Sequence, residues 1–160
     1  MSKVKIGDKV PDFEIPATGN KNIRLSELTG KNVVLYFYPK DNTPGCTTEG
    51  LDFRNKHSNF KRANAVVLGV SRDSVKSHEG FKEKQEFPFD LLSDKDETLC
   101  TLFDVIKDKK MYGKDVRGIS RSTFLIDAEG KLAREWREVK VPGHVDEVMQ
   151  AVKELNTQSG

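Results

Sequence analysis

Cys46 follows a turn rich in proline and glycine, at the point where an apolar run gives way to a polar segment. The apolar run covers residues 33–38, the turn residues 39–45 and the polar segment residues 47–63. This order predicts a buried strand, a turn, and then a helix whose first turn holds the cysteine. A helix N-terminus carries partial positive charge and unpaired backbone N–H groups, which favour a thiolate over a thiol. We therefore predict that Cys46 is reactive, because its polar neighbours would not pack a core.

The turn and its surroundings resemble the active-site motif of the peroxiredoxins. Pro39, Thr43 and Cys46 match the pattern Pro-x-x-x-Thr-x-x-Cys, and residues 37–49 are similar to one branch, peroxiredoxin Q or bacterioferritin comigratory protein. Further similarity lies in the segments 7–13, 91–94 and 118–127. The resemblance implies a thiol-dependent peroxidase of antioxidant defence that reduces hydrogen peroxide and organic hydroperoxides and needs no cofactor.

In such an enzyme, Cys46 is the peroxidatic nucleophile and Arg121 is the active-site cation. The thiolate attacks one peroxide oxygen, the O–O bond breaks, and the cysteine becomes a sulfenic acid. A guanidinium stays charged and has several fixed donors, so it suits both the thiolate and the peroxide oxygens. From its position alone, an arginine beside a strand is more typical of the solvated surface, and only the resemblance assigns Arg121 this role.

Four more residues are expected to shape the site. The Thr43 hydroxyl can bond the thiolate or the peroxide, or it can serve only as a turn or capping threonine. Pro39 is expected to shape the loop and shield the pocket. The backbone N–H of Gly45 can bind a developing oxyanion together with that of Cys46. Glu49 is either a bidentate partner that holds Arg121 or a favourable acidic residue in the first helical turn.

The histidines give no indication of a metal site. His57, His78 and His144 match no ligand spacing and lie in no Cys or His cluster. Each is therefore expected to be a structural or surface residue, and we predict no metal. Tyr38 adjoins the turn and is a candidate for lining the pocket.

The chain departs from the family pattern at the resolving cysteine. Many members carry that residue five positions after the first, where this chain has Leu51, and another subset places it on the next long helix, residues 74–85, which here contains none. Cys100 lies in an apolar helical segment and is expected to be a buried structural thiol, not a resolver. We therefore expect a one-cysteine mechanism, in which glutathione, a glutaredoxin or thioredoxin reduces the Cys46 sulfenic acid.

Length and composition set broad limits. The chain has 160 residues, enough for a single domain over 1–160, and contains 36% hydrophobic and 32% charged residues, which is typical of a globular protein. A net charge of +2 argues against nucleic acid as a partner. We find no apolar run long enough for a membrane helix and no secretory signal. Two cysteines make no disulfide framework, so we expect a cytoplasmic protein. We also expect a monomer, because the sequence shows no extra apolar stripe that a second copy would cover.

The order of segments predicts a thioredoxin-like α/β fold, with a central mixed sheet and helices on both faces. Strands at 33–38 and 66–70 flank the helix 47–63 as a right-handed βαβ unit. The next elements are a helix at 74–85 capped by Ser71 or Asp73, an extended piece at 87–92, a short helix at 97–103 and a loop at 107–114. A hairpin of 123–126 with 131–138 and an amphipathic helix then follow. Segments 12–15 and 22–25 predict an N-terminal β-hairpin extension.

Two other functions fit parts of the same pattern. A thiol–disulfide oxidoreductase shares the fold but needs a second cysteine three positions after the first, where this chain has Glu49. Insulin reduction would distinguish the two activities. A redox-sensing or chaperone-like module would use oxidised Cys46 to signal to a partner, with low turnover.

Overall fold

The strands form two sheets in this computed structural model, which describes residues 3–111 and 113–158. Along the described chain the strands are β1 (Glu14–Ala17), β2 (Lys21–Arg24), β3 (Asn32–Phe37), β4 (Ala65–Ser71), β5 (Asp90–Ser93), β6 (Ile106–Met111), β7 (Lys114–Ile119), β8 (Ser122–Ile126) and β9 (Leu132–Trp136). The helices are α1 (Pro44–Asn55), α2 (His57–Arg62), α3 (Val75–Gln85), α4 (Thr98–Leu102) and α5 (His144–Gln158), and a 3₁₀ turn covers Leu25–Leu28. The larger sheet has the order β2-β1-β5-β4-β3-β8-β9, and β6 and β7 form the smaller one.

Strand β3 lies at the centre of the fold because its whole apolar run can be buried. All six of its residues are buried, and it pairs with β4 in parallel and with β8 in antiparallel register. Its side chains alternate between two apolar clusters, with Leu35 on one face of the sheet and Tyr36 on the other. Helix α4 packs on the first face, and helices α1, α2, α3 and α5 pack on the second. The predicted mixed sheet with helices on both faces is confirmed.

The N-terminal hairpin forms as predicted and extends the main sheet. Strands β1 and β2 pair in antiparallel register from Glu14 opposite Arg24 to Ala17 opposite Lys21. Ala17 also pairs with Leu92 of β5, so the hairpin continues the sheet beyond the parallel strands. None of the helices in the described ranges is both long and apolar enough to cross a bilayer.

Three local predictions were wrong. The helix expected at 47–63 is divided into two helices, the first of which begins at Pro44. The break lies at Lys56 (φ −104°, ψ 4°), where the sequence has neither Pro nor Gly to indicate it. Segment 107–114, expected to be a loop, lies mostly in the hairpin β6–β7, whose charged strands lack the apolar alternation of a half-buried sheet. Helix α3 is capped by Ser74, whose hydroxyl accepts from Ser77 N at 3.1 Å, rather than by Ser71 or Asp73.

Candidate active site

Cys46 is the third residue of α1, directly after the turn that follows β3. Thr43 is the N-cap and Pro44 the first helical residue, a position where proline costs no hydrogen bond. The first bond of this helix runs from Thr47 N to Thr43 O at 2.9 Å, so the N–H groups of Gly45 and Cys46 precede the intrahelical ladder. Cys46 is only 2% exposed and belongs to an apolar cluster, so the expectation that its polar neighbours would keep it out of a core was wrong. Its setting is the positive end of a helix dipole.

Arg121 reaches this sulfur from the neighbouring strand. Ser122, the first residue of β8, pairs with Phe37, the last residue of β3, so the residue before β8 lies beside the start of the turn. The Arg121 Nη2 atom donates to Sγ of Cys46 at 3.4 Å. The guanidinium therefore faces the sulfur, as expected of an active-site cation.

Glu49 lies one turn further along α1 and binds the other arm of the same guanidinium. Nη1 of Arg121 donates to Oε1 of Glu49 at 2.6 Å, and the carboxylate is completely buried. Glu49 thus binds Arg121 as predicted, but through one oxygen and not as a bidentate pair, because the fork of Arg121 is divided between Glu49 and Cys46. Oε2 of Glu49 has no hydrogen-bond partner among the described residues. Burial raises the pKa of Glu49 to about 7, although the charge of Arg121 acts to lower it.

Glycine at position 45 lets the guanidinium approach the helix. A Cβ atom there would lie 3.1 Å from Nη2 of Arg121, closer than nine in ten real contacts of this kind. An alanine at position 45 would therefore require the guanidinium to shift by a few tenths of an ångström.

Thr43 and Pro39 lie in the turn, and among the described residues the Thr43 hydroxyl makes its hydrogen bond within the turn and not to the sulfur. The Thr43 hydroxyl donates to Lys40 O at 2.8 Å and so closes the turn, which matches its interpretation as a turn residue. Pro39 is exposed in the bend after β3. Tyr38 does not line the pocket as predicted: it is completely buried, and its hydroxyl donates to Asp41 at 2.7 Å.

The sequence prediction missed a polar cluster beneath the turn, in which two residues are buried and the third is half-buried. Asp41, Asp73 and His78 bring their side-chain ligand atoms within 4.8 Å of one another, a grouping that in principle suits a metal ion. Protein hydrogen bonds already engage these atoms, including a 2.7 Å contact from His78 Nδ1 to Asp41 and a 2.6 Å bond from the Ser71 hydroxyl to Asp73. The absence of a metal site therefore stays a prediction. No local motif joins these residues, since they meet only when α3 packs against the turn.

The remaining histidines lie close to apolar neighbours. His144 is 4% exposed, with Nε2 2.8 Å from the Thr123 hydroxyl and its ring edge-on to Trp136. Burial, and secondarily the charge of Arg121, lower the pKa of His144 to about 4, so it is neutral at pH 7. His57 is half-buried beside Phe89, at 6.2 Å between ring centroids.

Cys100 lies on the other side of the sheet from Cys46. It is completely buried on α4, in the apolar cluster that contains Leu35, whereas Cys46 belongs to the cluster that contains Tyr36. Burial raises the pKa of the Cys100 thiol well above its usual range. Both sulfurs are free thiols. The position of Cys100 matches the predicted structural thiol.

Comparison with known proteins identifies the family of this site. The AhpC/TSA family matches residues 6–135. The chain is 52% identical to peroxiredoxin Bcp of Bacillus subtilis over 153 residues, which is 96% of this chain and 98% of that protein. It is 56% identical to peroxiredoxin Bcp of Xanthomonas campestris over 142 residues, 89% of each chain. A solved structure of Xanthomonas campestris peroxiredoxin Q superposes with a TM-score of 0.89 at 52% identity, covering 96% of this chain and 97% of that one. The chain therefore belongs to the AhpC/TSA family, among the Bcp and peroxiredoxin Q enzymes, which are thiol-dependent peroxidases.

Proposed function

We propose that Cys46 reduces hydrogen peroxide and organic hydroperoxides through a sulfenic acid intermediate. The observation that carries this proposal is the 3.4 Å contact between Arg121 and the sulfur of a cysteine in the first turn of α1. The thiolate attacks one peroxide oxygen and forms the S–O bond while the O–O bond breaks. The departing hydroxide or alkoxide takes up a proton and leaves as water or an alcohol.

The site residues divide the remaining work. Arg121 stabilises the negative charge that moves from sulfur to oxygen, and Glu49 holds the guanidinium in place through one oxygen. The N–H groups of Gly45 and Cys46 point out of the first turn of α1 and are available to the developing oxyanion. Thr43 and Pro39 maintain the turn. Alkyl peroxide reduction is named as an activity of Xanthomonas campestris bacterioferritin comigratory protein, whose solved structure is 50% identical in sequence to this chain, and this supports including organic hydroperoxides.

We further propose a one-cysteine cycle. Cys100 lies on the opposite face of the sheet with a raised pKa, and the position five residues after Cys46 is Leu51. No other cysteine exists in the chain to form an internal disulfide. An external thiol, namely glutathione, a glutaredoxin or thioredoxin, then attacks the Cys46 sulfenic acid, releases water and forms a mixed disulfide that a second thiol reduces.

Mass spectrometry after one equivalent of hydrogen peroxide, with a sulfenic-acid trap present, tests both parts. We expect the trap on Cys46 and a free thiol at Cys100. A Cys46–Cys100 disulfide would keep the peroxidase and overturn the one-cysteine cycle, whereas no reaction at either sulfur would overturn the peroxidatic assignment. As matched variants, Cys46→Ser should abolish peroxide consumption and Cys100→Ser should leave most of it.

A further inference from the structure

Asp41 is a buried carboxylate in an otherwise exposed turn. The residue is 5% exposed, whereas its neighbours Lys40 and Asn42 face solvent. Its Oδ1 accepts from the Tyr38 hydroxyl at 2.7 Å, and its Oδ2 accepts from the Ser77 hydroxyl at 2.8 Å. Water would satisfy a solvated carboxylate in a turn, whereas Asp41 is bonded by protein groups. Its burial therefore indicates a structural role.

His78 links this carboxylate to a second element of the fold. Nδ1 of His78 lies 2.7 Å from Asp41 Oδ2, and Nε2 lies 2.9 Å from the carbonyl oxygen of Leu92. A carbonyl oxygen only accepts, so Nε2 carries a proton, and a second proton must lie between Nδ1 and Oδ2. His78 is completely buried, so water does not compete for this bond between α3 and the turn.

The backbone of the turn is tied down at the same residue. Asp41 N donates to Asp73 Oδ2 at 2.9 Å, and the same oxygen accepts from the Ser71 hydroxyl at 2.6 Å. Asp41 is therefore held by its side chain to α3 and by its backbone to the segment that follows β4. The short stretch from Asp41 to Cys46 leaves little slack, because the Thr43 hydroxyl closes the turn on Lys40.

We propose that Asp41 and His78 are positioning residues of the peroxidase, which fix the Cys46 turn against α3 and so hold the sulfur beside Arg121. This inference rests on the proposed role of Cys46. The proposal implies that the Asp41–His78 pair favours the reaction of Cys46 with peroxide and hinders the later reaction with an external thiol. The closed turn favours attack on peroxide, but it keeps the sulfur buried at 2% exposure, where an external thiol cannot readily reach it. Releasing the pair should slow the first half-reaction and speed the second.

Three variants in a Cys100→Ser background test the proposal. Asp41→Ala removes every side-chain bond of Asp41 and leaves His78 with its contact to Leu92. Asp41→Asn keeps an acceptor for Tyr38 and offers an amide donor to Nδ1 of His78, so it preserves the hydrogen-bond geometry without a carboxyl group. His78→Gln removes the simultaneous contacts with Asp41 and Leu92 and serves if Asp41→Ala does not fold.

Two rates are measured for each variant: sulfenic acid formation with hydrogen peroxide, and alkylation of reduced Cys46 by a maleimide. For Asp41→Ala and His78→Gln we expect a fall on the order of tenfold or more in the first rate and a rise in the second, because small displacements of reacting groups are costly. Asp41→Asn should stay within about threefold of the parent protein in both rates. The alkylation rate does not depend on peroxidase activity, so it reports on the turn even if the proposed function fails.

A control variant separates positioning from general loss of stability. Val152→Ala creates a cavity under α5 in the core. Val152→Ala and Asp41→Ala are each assayed at the same number of degrees below their own Tm. The proposal predicts faster alkylation in Asp41→Ala than in Val152→Ala. Equal alkylation and equal peroxide rates in these two variants, or unchanged rates in Asp41→Ala, would overturn it.

Discussion

Nη2 of Arg121 and Sγ of Cys46 lie 3.4 Å apart although 75 positions separate the two residues in the chain. The contact depends on the antiparallel pairing of β3 with β8, which brings Ser122 opposite Phe37. A second bond from Arg121, to buried Glu49, determines which arm of the guanidinium faces the sulfur. The proposed reactive centre is thus assembled from one helix N-terminus and the residue before one strand.

Replacing Arg121 by lysine should slow the reaction with peroxide on the order of 100-fold, because a single ammonium cannot contact Glu49 and the sulfur as a planar fork does. The second-order rate of sulfenic acid formation, measured by stopped flow, checks this. Arg134→Lys, on the exposed part of β9, is the matched control and should retain the parent rate. An Arg121→Lys rate equal to that of the control would show that the guanidinium geometry is not needed.

Gly45→Ala should impair activity without unfolding the protein. Its Cβ would lie 3.1 Å from Nη2 of Arg121 and displace the guanidinium, so we expect a loss on the order of tenfold in the peroxide rate. Gly80→Ala, on the exposed face of α3, meets no atom within 4 Å and should keep full activity with a gain of roughly 0.5–1 kcal/mol in stability. Parallel rate and Tm measurements compare the two. Full activity in Gly45→Ala would contradict the steric argument.

The buried groups Glu49 and His144 should give opposite pH dependences of stability. Glu49 has its pKa raised from 4.5 to about 7, so its contribution is lost as pH rises through that range. His144 has its pKa lowered from 6.5 to about 4, so its contribution is lost as pH falls from 6.5 to 4. Each effect is of the order of 3 kcal/mol at most.

Urea unfolding of Glu49→Gln and His144→Gln between pH 4 and 8 measures these effects as differences from the parent protein. The stability of Glu49→Gln relative to the parent should improve as pH rises from 4.5 to 7, and that of His144→Gln should worsen as pH rises from 4 to 6.5. Differences that stay flat across these windows would mean that neither group changes its proton affinity on folding.

Gly50→Ala should destabilise the protein by about 1–3 kcal/mol, because overpacking displaces side chains that have no room to move. A Cβ at Gly50 would overlap the ring of Phe87, which is itself stacked on Phe89 and edge-on to Phe81. In a Phe87→Leu background the same change should cost less, as a double-mutant cycle by urea unfolding would show. Additive losses would mean that the ring is not the obstacle.

The parts of the site that could be predicted from sequence were local. The apolar run of β3, the turn and the first residues of α1 follow one another, so their patterns and the peroxiredoxin motif predicted the place of Cys46. Arg121 was found because a recognisable segment surrounds it. The contact of Asp41 with His78 was not predictable in this way, because 37 positions separate them and only the packing of α3 brings them together.

Other differences have similar causes. The strands β6 and β7 carry mostly charged and polar residues and pair only with each other, so no alternation of apolar side chains marked them. The division of the Arg121 fork between two partners depends on distances of a few tenths of an ångström. Tertiary geometry of this kind cannot be inferred from residue types and their spacing along the sequence.

Because the pairing of Phe37 with Ser122 positions Arg121, peroxide reduction also reports whether β3 and β8 have paired in the correct register. If β8 were displaced against β3 by one residue, alternate side chains would change faces and Arg121 would move by about 3.3 Å, a full contact distance. A refolded chain with this error would exchange Phe124 and Leu125 between the two apolar clusters and lose core packing, while its helices would still contribute to the circular dichroism signal. Its sulfur would meet peroxide without the cation. The peroxide reduction activity recovered after refolding therefore measures the fraction of molecules in which β3 and β8 are paired in register. This activity should recover more slowly than the helical circular dichroism signal.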